Sequence, residues 1–339
     1  MGWINQPQNK GKTREKKVKT KAILATAIIA ILAVSIVYIY YSTQNSNQQT
    51  GQITIVDDQG TEIILPAVPQ RIVSLAPSVT PILYEIGVGD KVVGLTEYDD
   101  YPYNFTAWFE AGNMTKVGGF STPSMEAIAS VNPDIIFTTN VNEASIPNMR
   151  QLGYKVVVVG PTSIEGIYKT INLIGKATGA EASAASLVDS LKTKISGIES
   201  KIAAAKITDK PTVYYEVWYD SSGVMSAGAS SWINDVINKA GGINIFANET
   251  QEYPTTSSEV IVQKNPDVVL LPTGMGTGTP FYGSVAEVKA RPGWSAINGI
   301  KNDRLYVIDQ DLFSEPGMRV ADQVEIVAKC LYPQLFTSP

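Results

Sequence analysis

FSTPSMEAIASVNPDIIF (residues 120–137) and YPTTSSEVIVQKNPDVVL (residues 253–270) are two versions of one segment, separated by a constant offset of 133. Thr122 aligns with Thr255, Ser124 with Ser257, Glu126 with Glu259, Ile128 with Ile261, and Asn132-Pro133-Asp134 with Asn265-Pro266-Asp267. Each copy opens on hydroxyl residues suited to a helix N-cap and continues with apolar residues at helical spacing. Each then breaks at Asn-Pro and ends in a short apolar run that reads as a buried strand. A helix feeding a buried strand is part of an α/β layer, so the duplication predicts two similar lobes.

The flanking sequence extends both lobes. ITIVDDQGTEIIL (53–65) reads as a hairpin turning near Gly60, and RIVSL (71–75) as a buried strand. Ser78 offers an N-cap to a helix ending at Gly87, and KVVGL (91–95), DIIFT (134–138) and KVVVVG (155–160) supply further strands. Residues 163–206 contain no proline and keep helical spacing apart from a break near Gly179, after which Pro211 opens VYYEVWY and a second α/β set. The predicted fold class is therefore α/β, with an N-terminal lobe (53–162), a long backbone helix (163–206) and a C-terminal lobe (207–339). Each lobe is expected to hold a mainly parallel sheet flanked by helices. A cleft is expected between the carboxyl ends of the strands, and a single helical connection predicts a largely preformed cleft with modest closure.

Composition removes many alternatives. The chain has 339 residues, 44% hydrophobic and 17% charged, with no histidine and a single cysteine, Cys330. That excludes a Ser-His-Asp or Cys-His catalytic set, His-ligated metal, internal disulfides and thiolate clusters. No catalytic residues and no resident metal are expected. Residues 1–21 carry seven bases and one acid, +6 of a total of −5, which leaves −11 on the rest and makes nucleic acid a poor partner for the folded part. Residues 22–41, AILATAIIAILAVSIVYIYY, are uncharged and would span about 30 Å as a helix, enough for a transmembrane segment. Basic residues on one flank place 1–21 in the cytoplasm, and Tyr38, Tyr40 and Tyr41 suit the outer interface. The expected localisation is thus the cell membrane, single-pass, with the remainder extracellular or periplasmic. An uncleaved signal anchor is preferred over a cleaved signal peptide, because the apolar run is long and no small-x-small site ends it. No cysteine follows it for lipid attachment, and 42–52 reads as a flexible polar tether.

RIVSLAPSVTPILYEIGVGDKVVGLTEYDDYP (71–102), the two duplicated segments, the helical spine, SWINDVINKAGGINIF (231–246) and SEPGMRV (314–320) together resemble a family: the ABC-transporter substrate-binding proteins with a helical backbone (class III). The sequence is most similar to the cobalamin- or corrinoid-binding branch. The resemblance covers nearly everything after the tether. It implies a non-catalytic protein that captures a small-molecule chelate between its lobes and hands it to a membrane permease served by ATPase subunits. The implied ligand is a cobalt corrinoid, with haem or a ferric siderophore as alternatives. Phe120 and Tyr253, at matching places before Thr122 and Thr255, would each supply a flat ring to a planar ligand. The resemblance adds Tyr98, Asp311 and Phe313 as cleft residues, and Glu126 and Glu259 as a pair docking onto permease arginines.

Other features leave alternatives open. Trp218 and Tyr215 on VYYEVWY face either the cleft or the sheet, since a period of two cannot choose. The family tryptophan after the first Asn-Pro-Asp strand is Thr139 here, and Trp108 in YPYNFTAWF is either a replacement platform or part of an exposed loop. Only Arg150 and Arg319 are placed near the cleft ends, too few for a strongly anionic iron chelate. Haem would need a tyrosinate such as Tyr98 or Tyr253. GMGTGTP (274–280) lacks the third glycine of a dinucleotide fingerprint and reads as a loop.

Overall fold

The computed structural model describes residues 51–220, 223–273 and 284–336. The basic segment 1–21, the expected span 22–41, most of the tether and the glycine-rich 274–280 lie outside the described residues. Among those described, no helix is long and apolar enough to cross a membrane.

The N-terminal hairpin joins β1 (Ile53–Val56) and β2 (Glu62–Leu65), with Gly60 at φ 74° in its turn. The first lobe holds β3 (Ile72–Ser74), β4 (Val92–Leu95), β5 (Thr115–Lys116), β6 (Ile135–Thr138) and β7 (Val156–Val158), all parallel, in the order β5-β4-β3-β6-β7. The second lobe holds β8 (Thr212–Asp220), β9 (Gly223–Ser226), β10 (Ile243–Asn244), β11 (Thr255–Thr256), β12 (Val268–Pro272) and β13 (Leu305–Ile308). Here β10, β8, β12 and β13 run parallel, while β9 and β11 extend the sheet antiparallel beside the far half of β8. The second sheet is thus mixed, with a parallel core.

The central strands β3, β6 and β12 are buried at every position, as strands covered on both faces are. Alternate residues enter different cores. Val73, Ile136, Val156 and Val158 face a cluster confined to the first lobe, and Tyr214, Val269 and Leu271 face one confined to the second. Their neighbours Ile72, Ile135, Phe137, Val213, Tyr215 and Leu270 belong to one cluster that runs through both lobes and the helices between them.

The duplicated segments form matching units. Helices Met125–Ser130 and Ser258–Lys264 lead to asparagines in the left-handed region, Asn132 at φ 42° and Asn265 at φ 46°, a conformation asparagine tolerates at a helix end. The aspartate two residues later secures the entry of the neighbouring strand. Asp134 Oδ2 accepts the Gln70 and Arg71 amides at 2.7 and 2.9 Å; Asp267 Oδ2 accepts the Thr212 amide and hydroxyl at 3.0 and 2.8 Å. Asn-Pro-Asp therefore recurs for one structural reason in each lobe: it stops a helix and pins the start of an earlier, neighbouring strand, β3 or β8.

The connection differs from the single backbone helix expected. Helix Ile164–Thr178 ends at Gly179, φ 72°, and helix Glu181–Ala204 follows. A Cβ on Gly175 would lie 2.4 Å from the Ala184 Cβ, and the Lys192 ammonium sits 5.1 Å from the Tyr168 ring centre, so the two helices run antiparallel in close contact. The break at Gly179 is a reversal. Arg150 is also not at the cleft. Its guanidinium pairs at 2.8 Å with buried Asp57, which further accepts the Gln59, Thr61 and Val158 amides and fastens the hairpin to β7.

Gly→Ala inside a helix ordinarily stabilises by about 1 kcal/mol. Here Gly175→Ala should instead lose about 1–3 kcal/mol, because the helix pair must separate to admit the methyl. The midpoint of urea unfolding reads the sign.

Candidate functional site

The site is built from loops at the carboxyl ends of the strands. After β4 the chain turns through residues 96–103. Asp99 Oδ2 accepts the Thr96 amide at 2.8 Å and its hydroxyl at 2.6 Å, closing the turn. Tyr98 projects from it, 46% exposed, and meets the half-buried Phe120 edge-on with centroids 5.3 Å apart. Asn142, beyond β6, holds the platform from below: its amide donates to the Phe120 carbonyl and, at 3.0 Å, to the Thr138 hydroxyl.

In the second lobe Tyr253 is half-buried and edge-on to Trp232 at 6.4 Å. Burial and the neighbouring Glu252 push its phenol far above the usual tyrosine range, which opposes use as a tyrosinate. Phe120 and Tyr253 thus each pack against a ring of their own lobe. The β8 pairing shifts register between Glu216 and Trp218, a bulge that breaks the alternation. Tyr215, before the bulge, lies in the shared core with Val213, whereas Trp218, after it, stays 41% exposed and donates its indole N–H to Asp220 at 2.9 Å. Phe313 departs from expectation: it is 1% exposed and packs 6.3 Å from Tyr215, so it backs the wall and offers no face to a ligand in this conformation. Trp108 stacks on Tyr103 at 5.6 Å and 20° and packs with Tyr84 and Phe105, as part of an aromatic cluster against the first lobe's core.

The lobes meet where residues 309–319 approach the turn 96–103 and Ser78. A Cβ on Gly317 would come 2.9 Å from the Ser78 carbonyl oxygen, so only glycine permits this approach. The Arg319 guanidinium lies 4.5 Å from the Tyr101 ring centre across the junction. It also donates to Glu315 at 2.7 Å and to the Asp311 carbonyl at 3.1 Å. Acids crowd the same seam. Burial pushes Asp99 up to about 6, with Asp100 adding to it. Burial pushes Glu315 up to about 7, with Asp100 and Asp99 opposing its ionisation and Arg319 favouring it. Asp311 is raised by burial, then by Asp100 and Asp309. Sequence reading missed Asp99, Asn142 and Glu315. The only local signals were the doubled acid after Tyr98 and the four-residue spacing of Glu315 and Arg319.

Glu126 and Glu259 stand exposed in the first turns of their matching helices. Ser124 Oγ caps the first at 3.2 Å; the Ser257 hydroxyl and the Glu259 amide bond the second carboxylate and lower its pKa. Two surface hollows, of about 500 and 560 Å³, lie elsewhere. The first is bounded by Asp267, Arg304 and Tyr332 below the C-terminal sheet, the second by Glu85 and Ser183 beside the spine. Neither touches the residues above. Among the described residues, no group of three or more Asp, Glu or Cys converges as metal ligands.

A carboxyl whose pKa is higher folded than unfolded binds its proton more tightly when folded, so its contribution to stability falls as pH rises between the two values. Asp99 should act between about pH 4 and 6, and Glu315 between about 4.5 and 7. Melting temperatures of wild type minus Asp99→Asn, and of wild type minus Glu315→Gln, should decline across those windows and level off above them.

The sequence matches the Periplasmic binding protein family over residues 72–312. It is 32% identical over 289 residues to an uncharacterised ABC transporter substrate-binding lipoprotein of Bacillus subtilis, covering 84% of this chain and 87% of that one. It is 25% identical over 270 residues to a vitamin B12-binding protein of Vibrio cholerae, covering 79% and 90%. A crystal structure from Staphylococcus epidermidis, described as a possible iron-binding periplasmic solute-binding protein, superposes with a TM-score of 0.66 at 29% identity, covering 78% of this chain and 99% of that one. With the family matched across both lobes, the chain belongs to the periplasmic binding proteins.

Proposed function

We propose that the chain is the extracytoplasmic substrate-binding protein of an ABC importer, taking a metal chelate between its lobes, with a cobalt corrinoid as cargo. It holds the ligand without transforming it. The relatives named above support the transport class. The observation that carries the choice of ligand is the seam itself: exposed Tyr98, edge-on to half-buried Phe120, leads directly into Asp99 and Asp100, whose charges act on Glu315 and, from Asp100, on Asp311, while Arg319 is already engaged by Glu315. A flat, weakly charged ring system suits rings and acids together. Haem, with its propionates, and anionic ferric siderophores would meet like charge. The raised phenol of Tyr253 further disfavours haem ligation there.

In this reading Phe120 and Tyr253 grip opposite sides of the ligand, Tyr98 and Trp218 close the rim, and Asp311 bonds its periphery. Glu126 and Glu259 dock onto the permease, one per lobe. Residues 22–41, uncharged and preceded by seven basic residues, are the membrane anchor in this reading.

The full chain in detergent, titrated with cobalamin, cobinamide, haem and ferric siderophores by tryptophan fluorescence, tests the ligand. A corrinoid should bind most tightly, and Phe120→Ala and Tyr253→Ala should each weaken it about 10- to 100-fold, the loss of roughly 1.5–3 kcal/mol of buried ring. Tighter binding of haem or a siderophore, or no loss in either variant, overturns the assignment. Glu126→Ala combined with Glu259→Ala should abolish uptake in cells while leaving corrinoid affinity unchanged; retained uptake removes the docking role.

A further inference from the structure

Gln323, 0% exposed in helix Val320–Leu331, ties three parts of the second lobe together. Its amide nitrogen donates to the Leu312 carbonyl at 2.7 Å and to the Glu315 carbonyl at 3.0 Å, and its Oε1 accepts the Trp232 indole N–H at 3.3 Å. The amide fits only this way round, because a flip would set its oxygen against two carbonyls and its N–H groups against the indole N–H. Each bond lands on a piece of the wall. Trp232 opens helix Trp232–Lys239 and packs edge-on to Tyr253, while Ser231, just before it, hydrogen-bonds the Tyr253 phenol. Leu312 and Glu315 bracket Phe313, which backs the wall against Tyr215. They follow Asp311, whose own carbonyl accepts from Arg319, four residues before Gln323. The loop 311–315 is thus wound onto the start of one helix, and the glutamine that holds it also holds the ring behind Tyr253.

We propose that Gln323 is the positioning residue of the second lobe's ligand wall: through Trp232 it sets Tyr253, and through the Leu312 and Glu315 carbonyls it sets the loop that carries Asp311. The inference rests on the binding reading above and deepens it, since it joins two of the proposed ligand contacts through one buried side chain that itself touches no cargo. An apolar residue of similar length would fill the same volume. It would leave an indole N–H and two carbonyls without partners in the interior, and each could regain one only by moving. Movement of the first displaces the ring behind Tyr253; movement of the others displaces Asp311. Packing can replace the bulk of Gln323 but not the three directions that its amide fixes.

The test measures cobinamide affinity of the full chain in detergent by titration calorimetry, beside amide hydrogen exchange of the ligand-free protein. Gln323→Met should weaken binding about tenfold, the loss expected when three buried hydrogen bonds no longer hold the wall. In a Tyr253→Ala background the same change should cost only about threefold or less, because part of what Gln323 positions is then gone. A residue that merely supports the fold would cost the same factor in both backgrounds. Without ligand, Gln323→Met should speed exchange at residues 250–253 and 311–315 and leave β3 and β6 unchanged. Arg150→Met, which cuts the distant pair with Asp57, should lower the unfolding midpoint and leave affinity within about twofold. Should Gln323→Met fail to fold, Trp232→Phe removes the indole N–H while keeping a ring beside Tyr253, and should weaken binding about threefold, again only when Tyr253 is present. Losses equal in both backgrounds, affinity unmoved in the folded variants, or unchanged exchange at 250–253 and 311–315 overturn the positioning role while the corrinoid reading stands. Failure of the wild-type chain to bind cobinamide overturns the corrinoid reading and this inference together.

Discussion

The structure depends on a hydrophobic core that does not stop at the boundary between the lobes. One buried cluster runs from Ile55 and Ile72 through Ile167, Ile174, Val188 and Ile195 of the spine to Val213, Leu270, Phe313 and Val324. Separating the lobes at their base would expose part of this surface, at roughly 25 cal/mol for each Å² of apolar area. Large hinge opening is therefore costly. The close packing of Gly175 on Ala184 adds to this constraint by making the connection a rigid helix pair. What freedom remains lies at the seam above the core, where Gly317 meets Ser78 and Arg319 covers Tyr101. A binding protein built this way relies on side chains already in place, which is why the chemistry of the seam carries so much of the functional argument.

That seam is electrostatically strained in a particular direction. Asp99, Asp100, Asp311 and Glu315 share one region with Arg319, and burial raises the carboxyls instead of letting the arginine depress them. A structural ion-pair network would do the reverse, as Asp303 and Glu325 do beside Lys289 and Lys329.

The architecture was legible where the determinants were local. The duplicated Asn-Pro-Asp marks a helix stop and a strand anchor within a few residues, so two lobes could be read from the offset alone, as could the hairpin at Gly60 and the break at Gly179. The sense of that break was not legible, because reversal depends on Gly175 meeting Ala184 across the turn. The orientation of Trp218 was hidden by a bulge, which is a property of paired strands and not of one strand's pattern. Phe313 was expected at the cleft because the family resemblance placed it there; it is buried instead, packed on Tyr215 about a hundred residues away in sequence, a contact that no local pattern shows. Asp99 and Glu315 escaped notice for the same reason, since the burial that raises each carboxyl exists only in the folded chain.

The duplication also divides the molecule by task. The repeated helices present Glu126 and Glu259 in equivalent first turns, on backbone fixed by the same asparagine and aspartate. The loops just before them have diverged: Phe120 is flanked by Tyr98 and supported by Asn142, whereas Tyr253 leans on Trp232 and lies beside Glu252. An asymmetric small molecule requires unlike walls, while a transporter with two equivalent subunits would require like handles. In each lobe one short segment runs from the wall to the handle, so the proposed capture and delivery roles are separated by only six residues, Phe120 to Glu126 and Tyr253 to Glu259. That spacing allows the cargo site to change by substitution before the N-cap while the docking geometry, set by the helix and its Asn-Pro-Asp stop, stays fixed.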